Sequence, residues 1–310
     1  MHPAFSILFF TTLAGVAQGL AVLLALATLL GVAMSPGFVL NALVVAEVLL
    51  IAGLASSFLH LGHKMRAWRA VLMWRTSWMS REVIVLPAFI GLVGLWWLAL
   101  ALHASAAWVK LLPWLVLLGS FVLWYCTAMI YASLRFIEEW AHRFTIVNFT
   151  LIGLSSGMVL ACALAALAGE TAFVARFGST TLVLTLLAWL VRFLSLRRNA
   201  AIRHRSTLQS ATGIRAPQLV QKSMGMSAGS FNTREFFHGA SALAVKNVRL
   251  GFQVLTFAVP ALCLLWGLSS ASTAPWLLAL VSQAPGLLAE RWFFFAQAKH
   301  PQNLYYQTVS

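Results

Sequence analysis

Eight runs of about 20 mostly apolar residues, separated by polar connections, constrain this chain more than any other feature. Inside a hydrocarbon layer every backbone N–H and C=O must find its partner within the protein, so such runs fold as helices. The pattern predicts an all-α, polytopic integral membrane protein with eight transmembrane helices in a single membrane domain over 1–310. The expected spans are 5–30, 39–61, 83–102, 111–133, 145–167, 177–196, 250–268 and 276–296. Connections are short except 197–249, a polar segment rich in Arg, Ser and Gly. Charged residues are 9% of the chain, against about 25% in a soluble domain, and all seven acidic residues are Glu. The first run has no basic region ahead of it and no cleavage site after it, so it reads as a permanent helix, not a signal peptide.

The net charge of +14 does not point to nucleic acid, because the cations sit in the connections between apolar runs. With eight spans, 19 of the 21 Lys and Arg fall on one side of the membrane; the other side has Lys110 and Arg176. Positive residues stay cytoplasmic, which places both termini on the cytoplasmic side of the membrane. Ser80-Arg81-Glu82 before span three is echoed by Thr233-Arg234-Glu235 before span seven. Helix capping explains Ser80 more simply than a repeat does, and an arrangement of two four-helix halves stays open as the weaker alternative. Cys126, Cys162 and Cys263 are isolated in apolar runs, without the spacing of a zinc or iron–sulfur site.

Chemistry concentrates between Ser56 and Glu82. His60 is expected at the end of span two and Glu82 at the start of span three, joined by a basic, Trp-rich connection with Arg66, Trp68, Trp74 and Trp78. An ionisable pair at the lip of a bilayer suits a lipid-soluble molecule that carries protons. Quinone chemistry needs a hydrogen-bond partner for a ring oxygen, which His60 offers, and an acid or base, which Glu82 offers. The Trp residues would wall the ring. Plainer readings exist: Trp as interfacial anchors, Glu82 as a helix cap or partner of Arg81, His60 as a loop-facing residue. Glu47 lies inside span two, about 20 Å from His60 along a helix axis, too far to share its ring site. It reads as a residue bonded to a neighbouring helix or as part of a water path. The other His lie mostly in connections, so no haem is expected. Arg135, Glu138 and Glu139 read as local helix-end charges. The connection 197–249 reads as a partner surface, with Arg203, Arg205 and Lys222 as docking cations; membrane lipid is the other candidate for its charge.

The segments SSFLHLGHKMRAWRA, WRTSWMSRE, YCTAMIYASLRFIEEW, GSFNTREFFHG and AERWFFFAQAKHPQNLYY together resemble the DmsC family, membrane anchors of molybdenum oxidoreductases such as dimethyl sulfoxide reductase. WRTSWMSRE, NTREFFHG and ERWFFFAQAKH look closer to the SoeC branch, anchors of cytoplasmic sulfite-oxidising complexes. The resemblance implies eight spans, no resident cofactor or metal on this chain, and two partners: a four-cluster iron–sulfur subunit and a molybdopterin catalytic subunit. It implies an exchangeable quinone, menaquinone or ubiquinone, with His60 and Glu82 at the positions the family uses for it. In the sulfite branch electrons would run to quinone; in the reductase branch they would run from menaquinol. A reading of another class is a secondary transporter for a sulfur oxyanion with Glu47 as its proton-coupling residue, although Pro87, Pro113, Pro260 and Pro285 do not form the paired mid-span breaks of such proteins.

The cation asymmetry makes topology testable. Reporters fused to the C-terminus should be active as cytoplasmic reporters and silent as exported ones. An exported C-terminus would overturn the orientation.

Overall fold

The structure, a computed structural model, describes residues 4–59, 61–220, 222, 238–270 and 272–301. Among them there are no strands. Eight long helices follow in order: α1 (Phe5–Leu29), α2 (Pro36–Phe58), α3 (Trp78–Ala101), α4 (Leu112–Ala132), α5 (Arg143–Leu167), α6 (Thr171–Ala200), α7 (Ala242–Ser269) and α8 (Ala274–Ala296). Among the described residues, α1 to α7 are long and apolar enough to cross a membrane. The last helix has 23 residues, long enough to cross, but Gln283, Glu290 and Arg291 dilute its apolar character. Those three side chains are buried against other helices and not turned to lipid.

Several boundaries differ from the sequence expectation. Span two stops at Phe58 and not 61, and α3 begins at Trp78 and not 83. The N-cap of α3 is Ser77, whose hydroxyl accepts from the Ser80 backbone N–H at 3.3 Å; Ser80 is capped and does not cap. At 1.5 Å per residue, the 30 residues of α6 reach about 45 Å against a hydrocarbon core of about 30 Å, so its Arg-rich end continues as helix outside the bilayer. With α7 starting at Ala242, the polar connection shortens to 201–241. The echo at 233–235 lies outside the described residues.

Polar side chains complete the helices where the backbone cannot. Pro260 in α7 lacks the N–H that would bond the Thr256 carbonyl. The helix widens into a π turn over Val254–Ala258, and Gln283 Nε2 of α8 donates to the Thr256 oxygen at 3.1 Å instead. Gly286 lets α8 come this close, because a Cβ there would lie 2.6 Å from the Thr256 nitrogen.

The centre of the bundle is the crossing of α1 and α5. Gly15 and Gly19 on α1 face Gly153 and Gly157 on α5, in two Gly-x-x-x-Gly pairs. A Cβ on Gly157 would overlap the Gly19 carbonyl carbon and the Leu20 nitrogen, so the two backbones touch. The remaining helices pack around this pair in a repeating scheme. α1 contacts α2, α2 contacts α3, α3 contacts α4 and α4 returns to α1; α5 contacts α6, α6 contacts α7, α7 contacts α8 and α8 returns to α5. The cross-contacts match too, α4 on α5 and α8 on α1. The helix packing is thus arranged as two four-helix halves around the central pair.

Gly157→Leu should therefore lower stability by at least the ~1–3 kcal/mol of an overpacked core, since backbone atoms cannot rotate aside. Gly91→Ala, where a Cβ meets nothing within 4 Å, is the neutral control. Thermal unfolding in detergent reads the difference.

Candidate functional site

The first turns of α3 build one polar centre. The Arg81 guanidinium lies 4.0 Å over the Trp78 ring and donates to the carbonyls of Trp74 at 2.9 Å and Arg75 at 2.8 Å. It thereby pins the preceding connection onto the helix. Glu82 follows, 6% exposed, and its carboxylate accepts a short hydrogen bond from the Thr127 hydroxyl of α4. Glu82 is beyond the first turn of α3, and Arg81 is engaged elsewhere. Neither capping nor an Arg81 ion pair explains it.

The other residues named from the sequence scatter around this point. His60 lies outside the described residues; its neighbour Leu59 follows the last turn of α2. A 3-10 segment, Lys64–Met73, carries Arg66 and Trp68, both exposed. Trp74 is exposed too, beneath Arg75 at 5.4 Å. Trp78 is half-buried and meets the Tyr125 ring edge-on at 5.3 Å. Of the proposed ring walls, Trp78 is the one adjoining the Glu82 turn. Leu61, Gly62, His63, Lys64, Met65 and Arg66 line an open hollow of about 370 Å³ immediately after the His60 position. Glu47 is half-buried on α2; its Oε1 lies against Gly94 of α3, and its Oε2 is buried without a hydrogen-bond partner.

A second polar centre was not anticipated. Arg192 of α6 reaches Glu290 of α8 at 2.7 Å, and Arg291 reaches the other oxygen of Glu290 at 2.8 Å. All three are almost fully buried, and Arg291 also lies 4.2 Å over the Phe149 ring. The triad carries one net positive charge inside the protein. Counting Arg192 and Arg291 as loop cations concealed it. The signal was present, since all three residues fall within apolar runs, where charges mark buried partners.

Where α6 leaves the bundle, Glu138 and Glu139 do more than end a helix. Glu138 Oε1 accepts from the Arg205 backbone N–H at 2.9 Å, and its carbonyl accepts from Arg198 at 2.7 Å. Glu139 lies 3.5 Å from His204 Nε2. These contacts fold residues 198–205 back against the 134–142 turn. Burial, and then the charges of Arg198 and Arg143, hold His142 below its ordinary pKa. That favours the neutral ring, whose Nδ1 accepts from Phe144 N and caps α5. The side chains of Arg203 and Arg205, and Lys222 further along, stay exposed.

A family model described as the DMSO reductase anchor subunit (DmsC) matches residues 1–222. Over 329 aligned positions covering all of both chains, the protein is 46% identical to a sulfite dehydrogenase subunit of Allochromatium vinosum.

The buried triad makes a stability prediction. Glu290→Gln removes the shared counter-charge from two buried guanidinium groups and should cost about 3–5 kcal/mol. Replacing Arg192, Glu290 and Arg291 together by Met should recover much of that loss in detergent thermal unfolding. An unchanged melting temperature for Glu290→Gln alone would show that the pairing is not needed.

Proposed function

The chain belongs to the DMSO reductase anchor subunit family, and on that premise we propose that it is the quinone-reactive anchor of a molybdenum–iron–sulfur complex that oxidises sulfite. The family makes it a membrane anchor subunit of an oxidoreductase. The full-length similarity to a sulfite dehydrogenase subunit supports the sulfite branch over the reductase branch. The observation that carries the quinone reading is Glu82, a buried carboxyl held by one hydroxyl on the helix that follows the basic, Trp-rich connection.

Reduction of a quinone consumes two electrons and two protons. In this reading the electrons arrive from a four-cluster iron–sulfur partner, itself fed by a molybdopterin catalytic subunit. His60 bonds one ring oxygen and Glu82 delivers a proton to the substrate. Trp78 borders the ring, and Arg66 lies at the hollow through which the headgroup enters. Trp68 and Trp74, exposed on the same connection, border its outer rim or hold the connection at the lipid surface. The basic face is cytoplasmic, with both termini on that side of a bacterial inner membrane. Arg203, Arg205 and Lys222 present exposed cations there for the soluble partners.

The test uses membranes that contain the whole complex. Loss of the His60 bond to a charged or developing anionic oxygen is worth about 1.5–3 kcal/mol, so His60→Ala should slow sulfite-to-quinone electron transfer roughly tenfold or more. Glu82→Gln should slow turnover by a comparable factor without preventing assembly. A dye that takes electrons directly from the soluble subunits reports that assembly. Full quinone activity in both variants would sink the site; equal loss of dye and quinone activity would mean that the variants fail to assemble.

A further inference from the structure

Glu82 is closed off from solvent, and a proton donor in continuous use must be refilled. Orphaned polar atoms gather beside its Thr127 partner in the core. Between α1, α4, α5 and α8 lies a cavity in which the space open to water centres is about 20 Å³. One enclosed water needs roughly 10–15 Å³ on the same measure. Thr12, Gln18, Trp124, Thr127, Ser156 and Arg291 are among its lining.

Four atoms of that lining are buried without a hydrogen-bond partner: Thr12 Oγ1, Gln18 Oε1, Trp124 Nε1 and Arg291 Nη1. Gln18, Trp124 and Arg291 are 2%, 1% and 4% exposed. Trp124 and Arg291 offer N–H donors, Gln18 Oε1 offers an acceptor, and the Thr12 hydroxyl can do either. Leaving each of these groups unmade would cost about 1–3 kcal/mol. An apolar cavity stays dry, whereas one with donors and acceptors facing inward takes up water. The mix of two donors with an acceptor suits water, which needs both, better than an anion, which needs donors alone.

Thr127 connects this cavity to Glu82. It lines the cavity, and its hydroxyl proton points to the Glu82 carboxylate. Its oxygen still has lone pairs that can accept from a water on the cavity side. We propose that the cavity is a hydrated proton relay for Glu82, with Thr127 as its connecting hydroxyl. The proposal rests on the quinone reading of Glu82. When Glu82 has given its proton to a quinone oxygen, Thr127 passes its hydroxyl proton to the carboxylate and takes one from the cavity water. The water is left one proton short beside the Arg291 guanidinium, whose charge stabilises it until bulk water restores the proton. No bond to carbon changes and no electron moves in this step.

Thr127→Val keeps the shape and removes the hydroxyl, while Thr127→Ser keeps the hydroxyl. In membranes with the whole complex, Thr127→Val should lower quinone-coupled kcat about tenfold with little change in the quinone KM. Thr127→Ser should restore most of the rate, which a merely structural role for the methyl group would not permit. Glu82→Gln is measured alongside. If Glu82→Gln is slow and Thr127→Val is at the wild-type rate, the relay is overturned while the quinone site stands. If both are at the wild-type rate, Glu82 is not the proton donor and the relay falls with it. A structure of the complex at a resolution that shows ordered water gives a second reading. Density bonded to Trp124 Nε1 and Gln18 Oε1 is expected, and a dry cavity would overturn the proposal.

Discussion

The crossing of α1 and α5 is the contact on which the rest of the bundle depends. Between helices in lipid the hydrophobic effect supplies little drive, because the tails are as apolar as the side chains they would replace. What remains is close packing, and Gly15, Gly19, Gly153 and Gly157 let two backbones touch. The helices α2, α4, α6 and α8 then close around that pair, with α3 and α7 outside them in matching positions. Ala17 and Leu20, on the α1 side of this seam, are fully buried. The small residues that bring the helices together also leave a gap beside the contact, which Trp124 and Arg291 line.

Against this apolar frame, each buried polar group has to be accounted for individually. Gln283 replaces a donor that Pro260 lacks. Thr127 satisfies Glu82, and Glu290 is shared by two arginines. The triad and the relay cavity share Arg291, so the charge that would stabilise a proton-depleted water is itself held in place by Glu290. Structure and the proposed chemistry thus draw on the same few side chains. Glu47 stands apart, because its Oε2 has neither a hydrogen-bond partner nor a place in the lining of that cavity.

Confining the proposed chemistry to one end of the bundle follows from the same economy of charge. In the eight-span reading the Glu82 turn, the end of α2, the exposed cations Arg203, Arg205 and Lys222 and the C-terminal end of α8 fall on one membrane face, because each is reached after an even number of crossings. A quinone that meets its electron donor there does not require charge to cross the apolar core. The exposed 3-10 segment, with Met65, Leu72 and Met73 beside Arg66 and Arg69, gives that face both apolar and cationic contacts.

Much of this was legible in the local sequence. The number of helices and their approximate bounds follow from run length and hydropathy, because a bilayer admits few alternatives for an apolar stretch of that length. The lopsided placement of cations, the DmsC resemblance and the candidacy of Glu82 are also local properties of short segments. The partners of buried groups are not local. Thr127 is 45 residues from Glu82, and Arg192 is about a hundred from Glu290; nothing in either neighbourhood announces the other. The Gly-x-x-x-Gly spacings at 15–19 and 153–157 were visible as letters, but which helices they would join was not. Run length and hydropathy were enough for a helical membrane protein. Which helices touch, which charges are buried and which polar atoms line a common cavity emerged with the folded bundle alone, since those depend on distances between residues far apart along the chain.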